Sequence, residues 1–120
     1  MTPRVLTTTP ANRATDAALV IALHDITALP VVEAGVPVGL FTEQDVMRVY
    51  PTAEQREVTV GAIMRPCGLL ATPDTSVPDL AGAMGRSGQT TVPVVRDGAL
   101  VGIVSRRDLT RPNRAEVSID

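Results

Sequence analysis

Leu29–Arg48 reads LPVVEAGVPVGLFTEQDVMR, and Val92–Arg111 reads VPVVRDGALVGIVSRRDLTR; the two stretches align without a gap. Pro30/Pro93, Val31/Val94, Val32/Val95, Gly35/Gly98, Val38/Val101, Gly39/Gly102, Asp45/Asp108 and Arg48/Arg111 are identical pairs. The register runs back to the first residue, where MTPRVLTTTP lies over MRPCGLLATP at Met64–Pro73. An internal repeat outranks every other signal in deciding the fold. The chain is one unit written twice, and its halves divide as residues 1–57 and 58–120.

Each copy has the same grammar. A short apolar run, Pro30–Val32 or Pro93–Val95, meets a turn signal at Ala34-Gly35 or Asp97-Gly98, and a second apolar run follows at Val36–Phe41 or Ala99–Val104. That pattern predicts a β-hairpin whose glycine takes the positive φ of a tight turn. Thr42-Glu43-Gln44-Asp45 and Ser105-Arg106-Arg107-Asp108 then place a hydroxyl three residues before an acid. Such a box starts a helix, the hydroxyl capping free N–H groups and the carboxylate facing the positive end of the dipole.

Upstream, Val5–Thr9 is a short extended run ending at Pro10. Ala14–His24 puts Ala14, Ala17, Ala18 and Ile21, with Val20 beside them, on one stripe at helical spacing. Val77–Arg86 repeats the pattern with Val77, Leu80, Ala81 and Met84, and Pro78 fits there as a first-turn residue. A short helix over Glu43–Val49 stops before Pro51. Pro51–Glu57 is polar and reads as a linker, Val58–Met64 leads into the second copy, and Pro112–Asp120 is a tail. The fold class is α+β: two β-α-β-β-α repeats related by a pseudo-twofold axis and packed through their small sheets. The helical stripes predict a flat homodimer, because they leave apolar surface that one pair of repeats does not cover.

Composition narrows the chemistry. The chain has 120 residues, 44% of them hydrophobic but only 2% aromatic, and a net charge of −2. Neither a nucleic acid nor an anionic membrane is an expected partner, and stacking platforms are lacking. All 11 basic residues are arginine, so a P-loop, which requires lysine, is excluded. One Cys and one His cannot furnish a zinc site, and no Ser or Cys has a basic partner suited to triad chemistry. His24 reads as a polar helix-end residue, and Cys67 as a small residue at a strand start or a reactive thiol beside Arg65. The single cysteine fits a reducing cytoplasm. Met1, Met47, Met64 and Met84 fall on apolar patterns and read as core.

In order, M-x-P, short strand, T-P, helix, P-V-V, glycine turn, V-G-aliphatic and [ST]-x-x-D resemble a CBS domain, the module named after cystathionine β-synthase. Two in tandem resemble a CBS pair, or Bateman module, over about Met1–Arg111. Asp25 departs from the pattern, standing where the family often has Gly, as at Gly88. The first copy also lacks the lead-in that Val58–Ile63 gives the second. The resemblance implies no enzyme, catalytic residue, metal or required cofactor. It implies recognition of an adenosine compound (AMP, ADP, ATP or S-adenosylmethionine) in clefts between the copies, with the box aspartate on the ribose hydroxyls. By position, one cleft pairs Thr42 and Asp45 with Ala62, Cys67, Thr90 and Thr91. The other pairs Ser105 and Asp108 with Pro3, Val5, Thr27 and Ala28.

The chemistry suits those roles. An ionised carboxylate can accept both hydrogen bonds of a cis-diol, and charge-assisted bonds are the stronger class. A phosphate is drawn to the N–H groups of a helix start. Arg106 and Arg107 beside Asp108 suit a phosphate, whereas Glu43 and Gln44 do not, so the Ser105–Asp108 cleft ranks first. The same boxes are helix caps whether or not a ligand binds, and the two arginines serve equally as surface charges. Two functions therefore stand: a stand-alone regulatory sensor acting on an unidentified partner protein, and a structural dimerisation module without nucleotide.

Overall fold

The computed structural model describes residues 5–49 and 58–110. In order, these form α1 (Ala14–His24), β1 (Ala28–Glu33), β2 (Val36–Thr42), α2 (Glu43–Val49), α3 (Val60–Ile63), α4 (Val77–Ser87), β3 (Thr91–Arg96), β4 (Ala99–Ser105) and α5 (Arg106–Thr110). The chain divides into two units, one of Leu6–Pro66 and the other of residues 67–110 with Val5. The expected linker Pro51–Glu57 and tail Pro112–Asp120, together with Met1 and Pro3, lie outside the described residues.

Each unit is built on one antiparallel hairpin, β1–β2 or β3–β4. Both central turn residues are left-handed, Ala34 and Gly35 at φ 50° and 80°, Asp97 and Gly98 at φ 52° and 83°. Two positive φ angles are what a two-residue turn needs to match the twist of its strands. The register slips once in each hairpin, with Val31 opposite Gly39 but Val32 opposite Pro37, and Val94 opposite Gly102 but Val95 opposite Leu100. The bulge explains how Pro37 is tolerated inside a strand.

The first strand of each expected β-α-β-β-α unit shrinks to one parallel bridge, Thr8 with Val31 and Ala71 with Val94. Thr8 donates its N–H to the Pro30 carbonyl at 3.0 Å and accepts from Val32 at 2.8 Å. Pro10 and Pro73, two residues further on, offer no N–H with which to extend the ladder.

In the Leu6–Pro66 unit, α1 buries the expected stripe: Ala14, Ala17, Ala18 and Ile21 pack with Leu29, Val31, Phe41 and Val60. Small side chains on the helix let it approach the sheet closely. Asp25 ends α1 in the left-handed region at φ 50°, its N–H on the Ile21 carbonyl. Aspartate tolerates this conformation better than most residues, so the departure from glycine is accommodated. In the other unit, Leu80 and Met84 of α4 pack with Ala71, Val92, Val94 and Val104. Ala81, expected on that buried stripe, is exposed, and so is Met47, at 75%. For Met47 the reason is length: the seven-residue α2 has too few turns for apolar spacing to decide which face is covered.

Residues 58–66, which in sequence lead into the second copy, are held by the first unit. The first amide of α1 donates to the Val58 carbonyl at 2.8 Å, Val60 donates to the Asn12 carbonyl at 2.8 Å, and Gly61 to that of Pro10 at 2.9 Å. Val60 is wholly buried. Further on, Leu40 and Arg65 exchange two backbone hydrogen bonds of 2.8 Å each. Gly39 permits that approach: a Cβ there would lie 2.8 Å from both the Arg65 carbonyl oxygen and Met64 Sδ.

Candidate functional site

The two [ST]-x-x-D boxes fold alike. Asp45 Oδ2 accepts the Thr42 N–H at 2.9 Å and its hydroxyl at 3.0 Å. Asp108 Oδ2 accepts the Ser105 N–H at 2.9 Å and its hydroxyl at 3.1 Å. The carboxylate half of the expected box is present, but the hydroxyl is turned the other way: it donates to the acid instead of capping a helix N–H. A conventional hydroxyl cap does occur at α4, where Ser76 Oγ accepts the Asp79 N–H at 3.2 Å. In a pair containing an anion the charge-assisted bond wins. Oδ1 of each aspartate takes no part in these box hydrogen bonds.

The boxes differ in surroundings. Asp45 is wholly buried, while Asp108 is half-buried. Asp45 Oδ1 accepts no hydrogen bond, although Arg65 Nε stands 3.3 Å away and Arg48 Nη1 3.6 Å away. These are ion-pair distances without hydrogen-bond alignment. A buried carboxylate needs countercharge, and the two guanidinium groups provide it. Arg48 was visible as an identity of the repeat three residues after Asp45. Arg65 carried no signal of this kind, because only the Leu40–Arg65 backbone pairing delivers it to the box.

The other candidate residues sort by unit. Thr27 and Ala28 lie beside Thr42: the Thr27 carbonyl accepts the Glu43 N–H at 2.9 Å, and Ala28 pairs with Thr42. Likewise the Thr90 carbonyl accepts the Arg106 N–H at 2.8 Å, and Thr91 pairs with Ser105. Thr91 is buried, and its hydroxyl has no partner among the described residues. Such an orphan is unusual in a folded protein. Ala62 is exposed on α3, Val5 is half-buried, and Pro3 lies outside the described residues. Arg106 and Arg107 are exposed. Cys67 is buried, and burial pushes its thiol up, which keeps it protonated at neutral pH and makes it a poor nucleophile. His24 is the exposed last residue of α1. Among the described residues no cluster of His, Cys, Asp and Glu could hold a metal ion, and no helix is long and apolar enough to cross a membrane.

The CBS domain family model matches residues 1–52 and again residues 60–112. CBS domain-containing protein YhcV of Bacillus subtilis is 31% identical over 110 residues, covering 91% of this chain and 79% of its own length. The CBS domain of a CBS domain-containing membrane protein from Sphaerobacter thermophilus superposes with a TM-score of 0.73 at 32% identity, over 89% of this chain and 80% of that one. CBSX2, solved in complex with AMP, superposes with a TM-score of 0.79 at 26% identity, over 92% and 90% of the two chains. Repeat, hairpin, bulge and box converge on one assignment: this chain belongs to the CBS domain family and is a tandem CBS pair.

Proposed function

We propose that this protein is a regulatory sensor, not an enzyme, and that it binds an adenosine-containing ligand through Asp108 and Asp45 and so alters its affinity for a partner protein in the cytoplasm. The observation that carries the reading is the repeated box, in which each aspartate commits Oδ2 to its own threonine or serine and keeps Oδ1 out of those bonds. CBSX2, a relative of the same architecture, was solved with AMP. Asp108 is the stronger ribose acceptor, because Asp45 Oδ1 already faces two arginines. With few aromatic residues in the chain, the base lies among aliphatic side chains.

AMP at 100 times its dissociation constant should stabilise the fold by about 2.7 kcal/mol. For a chain of this size that is a rise in Tm of roughly 10 °C. A thermal-shift series with AMP, ADP, ATP, S-adenosylmethionine and guanosine monophosphate measures it. No rise with any adenosine compound at millimolar concentration sinks the sensor reading.

A second reading, a structural dimerisation module, is favoured by one observation. Leu19 and Leu23, one turn apart on α1, are 52% and 72% exposed, and Met47 on the neighbouring α2 is also bare. We propose that this face joins two copies of the chain. Light scattering at micromolar concentration should return twice the 12.6 kDa chain mass, and Leu23→Glu should return the monomer. A monomeric mass for the unmodified chain removes the dimer from both readings.

A further inference from the structure

Arg65 holds a position that the ligand must contest. Asp45 is wholly buried, with Oδ2 taken by two donors from Thr42 and Oδ1 by none. A hydroxyl donor would complete the shell of that oxygen, yet Arg65 Nε stands 3.3 Å from it. The approach is made by one edge nitrogen and lacks hydrogen-bond alignment, so it falls short of the forked pairing that arginine and carboxylate favour. The Arg65 backbone is fixed to Leu40 by two hydrogen bonds, while its side chain is 49% exposed. The head can therefore swing toward solvent without disturbing β2.

We propose that Arg65 is the resident occupant of the Asp45 carboxylate and a specificity-determining residue that turns away uncharged nucleosides. A ribose diol reaches Oδ1 only by displacing the guanidinium. A ligand that also carries a phosphate offers the displaced cation a new anion, whereas a nucleoside leaves it with water alone. Arg48, three residues from Asp45 and 61% exposed, remains as countercharge throughout. This inference rests on the reading of Asp45 as a ribose acceptor, and its test separates the two.

Calorimetric titrations with AMP and with adenosine are made on the full chain carrying Asp108→Asn, so that Asp45 dominates the signal. They are repeated with Arg65→Gln and with Arg65→Lys added. Arg65→Gln should tighten adenosine and weaken AMP, lowering the AMP-to-adenosine affinity ratio by roughly tenfold. That is the size expected when the phosphate forfeits one charge-assisted bond and the ribose no longer meets a competitor. Arg65→Lys keeps the charge and should preserve most of the preference. A ratio unchanged within about twofold on Arg65→Gln, or equal losses for both ligands, overturns the proposal and leaves Arg65 as plain countercharge. If Arg65→Gln does not fold, salt supplies the same readout on the Asp108→Asn chain. Salt screens half-exposed ion pairs, so adenosine affinity should rise and AMP affinity fall; two affinities falling together overturn the proposal. AMP binding to the unmodified chain that vanishes in Asp108→Asn refutes Asp45 as a ribose acceptor, and the inference with it. No adenosine compound binding the unmodified chain refutes the sensor reading itself.

Discussion

Asp108→Asn should bind AMP roughly tenfold to a hundredfold more weakly than the unmodified chain while melting at nearly the same temperature. The substitution keeps the side chain's shape and one oxygen that can still accept the Ser105 N–H, now 2.9 Å from Oδ2. It removes the charge that a ribose diol would meet. Hydrogen bonds to charged groups contribute about 1.5–3 kcal/mol, and each 1.4 kcal/mol or so is a factor of ten in affinity. Unliganded stability should move by no more than about 1 kcal/mol, since asparagine caps nearly as well as aspartate. Asp45→Asn should cost less binding, because that carboxylate is already engaged by Arg65 and Arg48. Paired melting and titration on both variants decide it. Equal losses of binding would refute the ranking of the two aspartates, and lost stability with intact binding would make Asp108 a purely structural residue.

The second large effect concerns stability alone. Phe41→Ala should destabilise the Leu6–Pro66 unit by about 3–5 kcal/mol, the range for deleting a buried aromatic ring from a packed core. Phe41 is the chain's one phenylalanine, wholly buried and packed among Leu29, Val31, Ile21, Val60 and the alanines of α1. Those alanines are too short to collapse into the void, so the cavity persists. Whole domains are held by only about 5–15 kcal/mol, and a loss of this size removes much of it. Urea unfolding followed by circular dichroism measures the change. Phe41→Leu, which refills most of the volume, should lose less than half as much. A loss below about 1 kcal/mol for Phe41→Ala would mean that the ring is not the centre of this core.

How far the sequence could be read depended on the range of each interaction. Hairpins, turns, α1 and α2 were legible because their causes are local: two left-handed residues, a small-residue stripe, a proline. The boxes were legible as helix starts, since a hydroxyl three residues before an acid recurs after Val-Gly in both copies. The hydroxyl's direction was not, because both orientations satisfy the same spacing and only the anion's stronger pull decides between them. Arg65 at Asp45 was beyond reach for a different reason. It depends on Gly39 letting a distant segment close onto β2, an approach that leaves no periodic trace. The exposure of Met47 was hidden likewise, because the seven-residue α2 gives a pattern no room to establish a face.

The hold of the first unit on residues 58–66 also bears on how such a chain can arise and be divided. The segment that repeats in sequence and the segment that folds are offset from each other: a piece cut after residue 57 would carry all of the first copy, yet lack Val60 from its core and the Val58 carbonyl that receives the first amide of α1. Duplication therefore did more than add a second copy. The neighbour's leading segment became a structural part of the copy before it, and through Arg65 it came to sit beside that copy's buried acid. Changes in the opening residues of one repeat are thus inherited by the chemistry of the other.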